Sequence, residues 1–300
     1  MDTASFPSMT AAADAAAPHA AEPLALPPLR AGSVTQWHAA ARDGVRVDAD
    51  ETWWGFGGLH GGLALSLLVR AMQVQAPPGR VLQQVSGQFR RALRGPFTLE
   101  AVAAPPGRAV SWLEAGAVGD DGVLLLSASA LFVEGSPPAA AQAVAAALLR
   151  AAPPMPPAPP PSACPVLEVP PTLVPIARHL ALRPVGSARP FGGAAEPELL
   201  AWLRLVDDER PPDVARLVVL MDALAPSASA VLHAPVLMPT VTPSPALAEA
   251  SSPWVLLRAR TSLWSAAGWM QERIDAWSPT GTHLGSAEQL RAVRAVGPGR

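Results

Sequence analysis

The chain has 300 residues, half of them hydrophobic, enough for one large domain or two of ordinary size with a substantial core. Its formal net charge is −2, so no basic surface argues for a nucleic-acid partner. Cys164 is the only cysteine, which excludes an intrachain disulfide scaffold and is compatible with a reducing compartment. Lysine, tyrosine and asparagine are absent while alanine, proline, arginine and glycine abound, a bias that looks more like GC-rich coding than function.

Residues 1–30 are rich in alanine and proline and carry no lysine or arginine before Arg30. A secretory leader needs a positive start followed by an apolar run, so residues 1–31 read as a disordered tail. No segment reaches the ~18 uninterrupted apolar residues of a membrane span, and a cytoplasmic location is expected. Residues 32–54 are mixed and modestly apolar, and read as one or two strands with Asp43-Gly44 as a turn.

Gly57-Gly58-Leu59-His60-Gly61-Gly62 is a tight glycine turn that runs straight into an apolar stretch. That stretch predicts a helix over 59–75, apolar almost all round and so buried on every side, ended by Ala76-Pro77-Pro78-Gly79. The first amides of such a helix lack internal partners and, with the helix dipole behind them, suit a developing negative charge. The competing reading is that the glycines only permit close packing on a sheet. Strand-like runs follow at 81–93, 97–104, 109–118 and 123–133, separated by Gly95-Pro96, Pro105-Pro106-Gly107 and Gly119-Asp120-Asp121-Gly122. A helix followed by a meander of antiparallel strands is an α+β pattern.

Residues 137–175 are different material. A short alanine-rich helix is expected over 139–151, and the proline run of 153–161 reads as a stiff polyproline spacer, an interdomain linker. The second half then repeats the first. A strand over 198–206, a turn at Asp207-Asp208-Glu209-Arg210-Pro211-Pro212 and an apolar helix over 213–224 ended by Pro226 are followed by strand-like runs at 231–241, 254–263, 269–277 and 283–293. Ser278-Pro279-Thr280-Gly281 is a hairpin turn in the position of Gly119 to Gly122. The period is far beyond a solenoid unit, so two copies of one domain are expected.

A buried helix wrapped by a long antiparallel sheet, twice in one chain, resembles the double hotdog fold. Gly57-Gly58-Leu59-His60-Gly61-Gly62 is similar to the glycine turn before the hotdog helix of acyl-CoA thioesterases. Leu220-Met221-Asp222-Ala223-Leu224, Met238-Pro239-Thr240-Val241 and Ser286-Ala287-Glu288-Gln289-Leu290-Arg291 resemble the three active-site segments of the acyl-CoA thioesterase II family. The resemblance implies an α+β double hotdog with an N-terminal module at 32–136, a linker at 137–175 and a C-terminal module at 176–295. The two halves differ. The residue nine beyond His60, where single hotdog thioesterases of the His-Gly-Gly kind carry an acid, is Val69, whereas the residue nine before Asp222 is Asp213, followed by Val214-Ala215 where glycines would be. One copy has the turn without the acid, the other the acid without the glycines. Since hotdog sites form between copies, one complete site and one empty pseudo-site are expected.

Asp222 sits in an otherwise apolar run, and an unpartnered buried carboxylate costs several kcal/mol, so something must hold it. A bland reading, that it ends the helix near Pro226 in a wet spot, competes with a functional one. The resemblance assigns it the activation of a water by accepting a proton. It makes Thr240 a hydroxyl that orients that water, with Thr242 as the competitor if the register shifts, and Gln289 a third water ligand. The Gly61 and Gly62 amides are the candidates to receive the carbonyl oxygen. His60 could instead be the base, although its place at the turn fits a structural or substrate-contacting role better. The remaining histidines show no metal-ligand spacing, so no metal and no cofactor is expected. In the strand after Thr240 the chain departs from the family: residues 243–248 are broken by prolines where relatives keep a longer strand, which bears on the acyl tunnel. The implied function is hydrolysis of an acyl-CoA to free acid and CoA. The alternatives are hydrolysis of an acyl-carrier-protein thioester in a polyketide or fatty-acid pathway, and a non-catalytic acyl-binding hotdog protein. A hotdog dehydratase would need a paired histidine and carboxylate that the spacing does not offer. Hotdog pairs often assemble further, so a homo-oligomer stays open.

Overall fold

A computed structural model of the chain describes residues 32–105, 107–135, 152–207, 209–234, 240–243, 246–247 and 251–293. The expected tail, the alanine-rich helix of 139–151 and Met238-Pro239 lie outside the described residues.

The first element corrects part of the reading of 32–54 as one or two strands, of which a single short strand after the Asp43-Gly44 turn is present. That first element is a helix, α1 (Val34–Ala40). Ser33 and Gln36 form a capping box, each side chain bonding the other's backbone N–H. Val34, Trp37, His38 and Ala41 lie at the spacing of one helix face and are the residues buried there. A short strand, β1 (Arg46–Val47), follows.

The central helix of the first half, α2 (Gly61–Gln75), buries Leu63, Leu65, Leu67, Leu68, Val69 and Met72 completely. At about 1.5–3 kcal/mol for each such side chain, burial far exceeds the roughly 1 kcal/mol that each glycine of the first turn costs. Beneath it lies an antiparallel sheet of β1, β2 (Arg80–Phe89), β3 (Phe97–Ala103), β4 (Val110–Gly119) and β5 (Leu124–Glu134), in the order β1-β3-β4-β5-β2. The expected four-strand meander is present, its turn at Gly119 to Gly122 closed by a 2.8 Å bond from Gly122 N–H to the Gly119 carbonyl.

In the second half β6 (Leu180–Pro184) and β7 (Glu198–Leu205) precede the helix α3 (Val214–Met221). Then come β8 (Thr240–Pro243), β9 (Ala246–Leu247), β10 (Val255–Ser265), β11 (Trp269–Trp277) and β12 (His283–Ala292). The sheet order is β6-β7-β10-β11-β12-β8, with β9 also on β12. Strand β6 is an addition that the proline-rich surroundings concealed. The strand expected over 231–241 is a second correction, in part: 231–234 hold no strand, residues 235–239 lie outside the described residues, and Thr240 and Val241 begin β8. Ser227–Val231 is a 3-10 turn after Pro226, and the carbonyls of Ser229 and Ala230 accept from the loop amides of Phe191 and Ala194 rather than from a sheet ladder.

The architecture is α+β, two helix-and-sheet units arranged as a double hotdog. Helices α2 and α3 pack on each other, and β2 borders β8 and β9. One apolar cluster runs through both halves, so they share a core. At the junction, Ile176 N–H donates to the Trp54 carbonyl at 2.9 Å, and the His179 ring stacks on Trp53 at 3.6 Å.

The proline run is fastened along the second sheet. Trp277 Nε1 donates to the Pro153 carbonyl and Trp202 Nε1 to the Pro159 carbonyl, each at 2.9 Å. The Arg183 guanidinium donates to the carbonyls of Pro161 and Cys164. Cys164 is buried here beside Trp202, Leu256 and Trp277.

Candidate active site

The site forms where the start of α2 meets the end of α3. His60 is the N-cap of α2, and its Nδ1 accepts from Leu63 N–H at 3.2 Å. The ring proton therefore sits on Nε2, which donates to the Asp222 carbonyl at 3.1 Å. Asp222 is the C-cap of α3, not an interior helical residue, and it turns its carboxylate to the first half of the chain. Oδ2 accepts from Gly62 N–H at 2.7 Å, and Oδ1 accepts from Gln289 Nε2 at 3.1 Å. An anion on the first amides of a helix is favoured by both the orphan N–H groups and the helix dipole. That is what holds a carboxylate whose side chain is only 11 % exposed.

Gly62 is required for this approach. A Cβ there would stand 2.8 Å from both Asp222 Cβ and the Val218 carbonyl oxygen. At Gly61 it would meet Asp222 Oδ2 at 2.9 Å and Phe89 at 3.1 Å. Beside the carboxylate is a cavity of about 10 Å³. Gly62, Asp222 and Gln289 line its polar side, and Leu65, Val218 and Met221 its apolar side. A space of that size holds about one water.

Gln289 is on β12, buried, directly opposite Glu272 of β11. Thr240 is on β8, its backbone paired with Arg291, and Thr242 is paired with Leu290. The structure thus brings Asp222, Gln289, His60, Gly61 and Gly62 together, and carries the Thr240 backbone to the neighbouring strand position.

Two buried charges at the site were not anticipated. Arg291 donates through Nε to Glu272 Oε2 at 2.9 Å and through Nη2 to Gln289 Oε1, and its Nη2 lies 3.9 Å from Asp222 Oδ1. Glu272 is fully buried and its other oxygen accepts from Ser227 N–H. Period-2 alternation carried the signal: Glu272 stands between Met270 and Ile274 on the core-facing side of β11, and Arg291 lies two residues beyond Gln289. Among the described residues no three His, Cys, Asp or Glu side chains cluster as a metal ion would need.

Comparison with known proteins bears on this geometry. The family model for the acyl-CoA thioesterase N-terminal domain matches residues 50–133, and that for the acyl-CoA thioesterase C-terminal domain matches residues 150–293. The chain belongs to the acyl-CoA thioesterases, a family of thioester hydrolases. Solved structures agree on the fold. A hotdog protein of unknown function from Alicyclobacillus acidocaldarius is 22% identical, with a TM-score of 0.69 over 83% of this chain and 92% of its own. A provisionally assigned thioesterase II from Thermobifida fusca YX is 20% identical, with a TM-score of 0.71 over 86% and 97%. The acyl-CoA thioesterase II of Mycobacterium marinum is 17% identical, with a TM-score of 0.62 over 79% and 90%. No curated protein matches the sequence.

In this acyl-CoA thioesterase the two ends of the helix pair are not equivalent. At the opposite end, where α3 begins, Asp213 is the N-cap and accepts from Arg216 N–H at 3.0 Å. Arg70 of α2 reaches Asp213 Oδ2 there. An arginine thus meets the start of α3, where a carboxylate meets the start of α2. Nearby, His38 Nε2 bonds Ser66 Oγ at 2.9 Å, and Ser66 Oγ donates to the Leu63 carbonyl. Burial, helped by the Arg70 charge, pushes His38 down to about 3 from the ordinary histidine value, so it is neutral.

Proposed function

We propose that the chain hydrolyses an acyl-CoA to a free acid and CoA, using a water activated by Asp222. The observation that carries this reading is the Asp222 carboxylate held between Gly62 N–H of the first half and Gln289 Nε2 of the second, beside a space fit for one water. The water gives a proton to Asp222 as its oxygen bonds to the thioester carbonyl carbon. The C–S bond then breaks, and the proton passes from Asp222 to the leaving thiolate. Gln289 orients the water, and Thr240 adds a hydroxyl from β8, an assignment supported by the family resemblance of that segment.

Gly62 N–H is committed to Asp222 and Leu63 N–H to His60, so the carbonyl oxygen is assigned to Gly61 N–H, the remaining amide of the first turn. Losing one such donor typically costs about 10²–10³ in rate. His60 is read as an orienting residue rather than the base, because Nδ1 already accepts a hydrogen bond and Nε2 donates one. The modules are taken as 32–136 and 176–295, joined by 137–175.

The test is a panel of acyl-CoA chain lengths with detection of free thiol, on the wild type and on Asp222→Asn. Hydrolysis by the wild type, and its loss in the variant with binding retained, is expected. An unchanged rate in the variant removes the mechanism. Tight binding without hydrolysis by the wild type indicates an acyl-binding protein, and a preference for carrier-protein thioesters identifies the other enzyme reading.

A further inference from the structure

We infer that Arg291, held by Glu272, is a positioning residue that sets the orientation of the Gln289 amide toward Asp222. The inference rests on the reading of Asp222 and Gln289 just given and extends it by one shell of side chains. Arg291 and Glu272 are both buried, at 5% and 0% exposure, in the interior face of the second sheet. Stability alone is a poor reason for such a pair, because replacing buried ion pairs with apolar residues of similar volume is often neutral or stabilising.

The hydrogen bonds have a direction that only these residue types provide. The two carboxyl oxygens of Glu272 accept from Ser227 N–H and from Arg291 Nε–H. Guanidinium is a donor only. It therefore faces Gln289 Oε1 and could not face Nε2, which leaves Nε2 turned to the Asp222 carboxylate, itself an acceptor only. A glutamine amide carries no orientation of its own, since its two ends are nearly the same shape. Without Arg291 the amide could turn over and present Oε1 to Asp222, oxygen against oxygen, and the water would lose its donor. The pairing is built across strands. Glu272 is opposite Gln289, Arg291 is opposite Met270, and Arg291 reaches back diagonally along its own face of the sheet.

The experiment measures kcat and KM for the double variant Glu272→Met with Arg291→Met, which leaves no unpaired buried charge, and for Arg291→Lys. A misplacement of a catalytic group of about 1 Å costs about 10²-fold. The double variant is expected to lose about 10²-fold in kcat with KM near wild type, and its thermal midpoint to fall because the buried Ser227 N–H loses its acceptor. Arg291→Lys keeps the charge but not the planar fork, and its kcat is expected to lie between the two with the same KM. Wild-type kcat in the double variant, or a change confined to KM, overturns the inference. Should the double variant not fold, Arg291→Lys decides alone: a lowered kcat at constant KM supports the inference, and an unchanged kcat overturns it. Asp222→Asn is measured beside them. If it retains activity, the reading of the site fails. If it is inactive while the double variant is unaffected, only the role of Arg291 falls.

Discussion

Replacing Gly62 with alanine tests the joint between the two halves most sharply. The added Cβ would lie 2.8 Å from Asp222 Cβ and 2.8 Å from the Val218 carbonyl oxygen, and 3.0 Å from His60 Cε1. Two of these neighbours are a backbone atom and the first carbon of a side chain, so neither can turn away. Helix α3 would have to withdraw by roughly 0.6 Å to reach the 3.4 Å at which ordinary contact begins. Overpacking of this kind costs about 1–3 kcal/mol. In a chain of this size that lowers the thermal midpoint by about 2–4 °C per kcal/mol. The same withdrawal lengthens the bond from Gly62 N–H to Asp222, which is 2.7 Å in the native arrangement. By the rule of about 10²-fold per 1 Å, kcat should fall by tens of fold. Gly95→Ala is the control, because a Cβ there has nothing within 4 Å. Differential scanning fluorimetry and a free-thiol assay on both variants give the answer. If Gly62→Ala matches Gly95→Ala in midpoint and rate, the close approach of α2 and α3 at this point is wrong.

Other outcomes follow from features away from the site. His38 has a folded-state pKa pushed down to about 3 by burial and by Arg70, below the unfolded value near 6.5. As pH falls below about 6.5 the unfolded chain takes up this proton and the folded one does not, so stability should decline from there toward pH 3. Midpoints measured from pH 7 to 4 should fall less steeply for His38→Gln than for the wild type; equal slopes would contradict the burial of a neutral ring. Trp277→Phe removes the bond to the Pro153 carbonyl and should cost about 1–3 kcal/mol by leaving that carbonyl unpaired. Loosening of the proline run should then expose Cys164 and speed its labelling by a thiol reagent, and an unchanged labelling rate would refute the fastening.

Much of the fold is legible in the residues because its punctuation is strong. Pro77-Pro78-Gly79, Gly95-Pro96 and Gly119 to Gly122 cannot continue a strand or helix, and the first-half strands lie between them within a few residues of expectation. The failures have local causes. Residues 34–41 have a helical period and a capping box, but Val34, Thr35 and Trp37 also favour strands, and tertiary burial of Trp37 decides. Val231 and Leu232 favour a strand, yet the turn over Ser227–Val231 after Pro226 sends the carbonyls of Ser229 and Ala230 to a neighbouring loop. At the site, Asp222 stands out as an acid in an apolar run, whereas Gln289 lies among Ser286, Glu288 and Arg291 and is singled out only by the family resemblance. Their meeting with Gly62 is a matter of how α2 and α3 dock, which no spacing within either half encodes. Arg291 and Glu272 were readable as charges at core-facing strand positions, but their partnership required the register of β11 on β12.

The central claim is that a water activated by Asp222, rather than the carboxylate itself, attacks the thioester. Single-turnover hydrolysis of an acyl-CoA in ¹⁸O-enriched water, with mass spectrometry of both the acid and the Asp222 peptide, tests it directly. The account predicts one ¹⁸O in the acid from the first turnover and none in the peptide. Label appearing in Asp222, with first-turnover acid unlabelled, would contradict it.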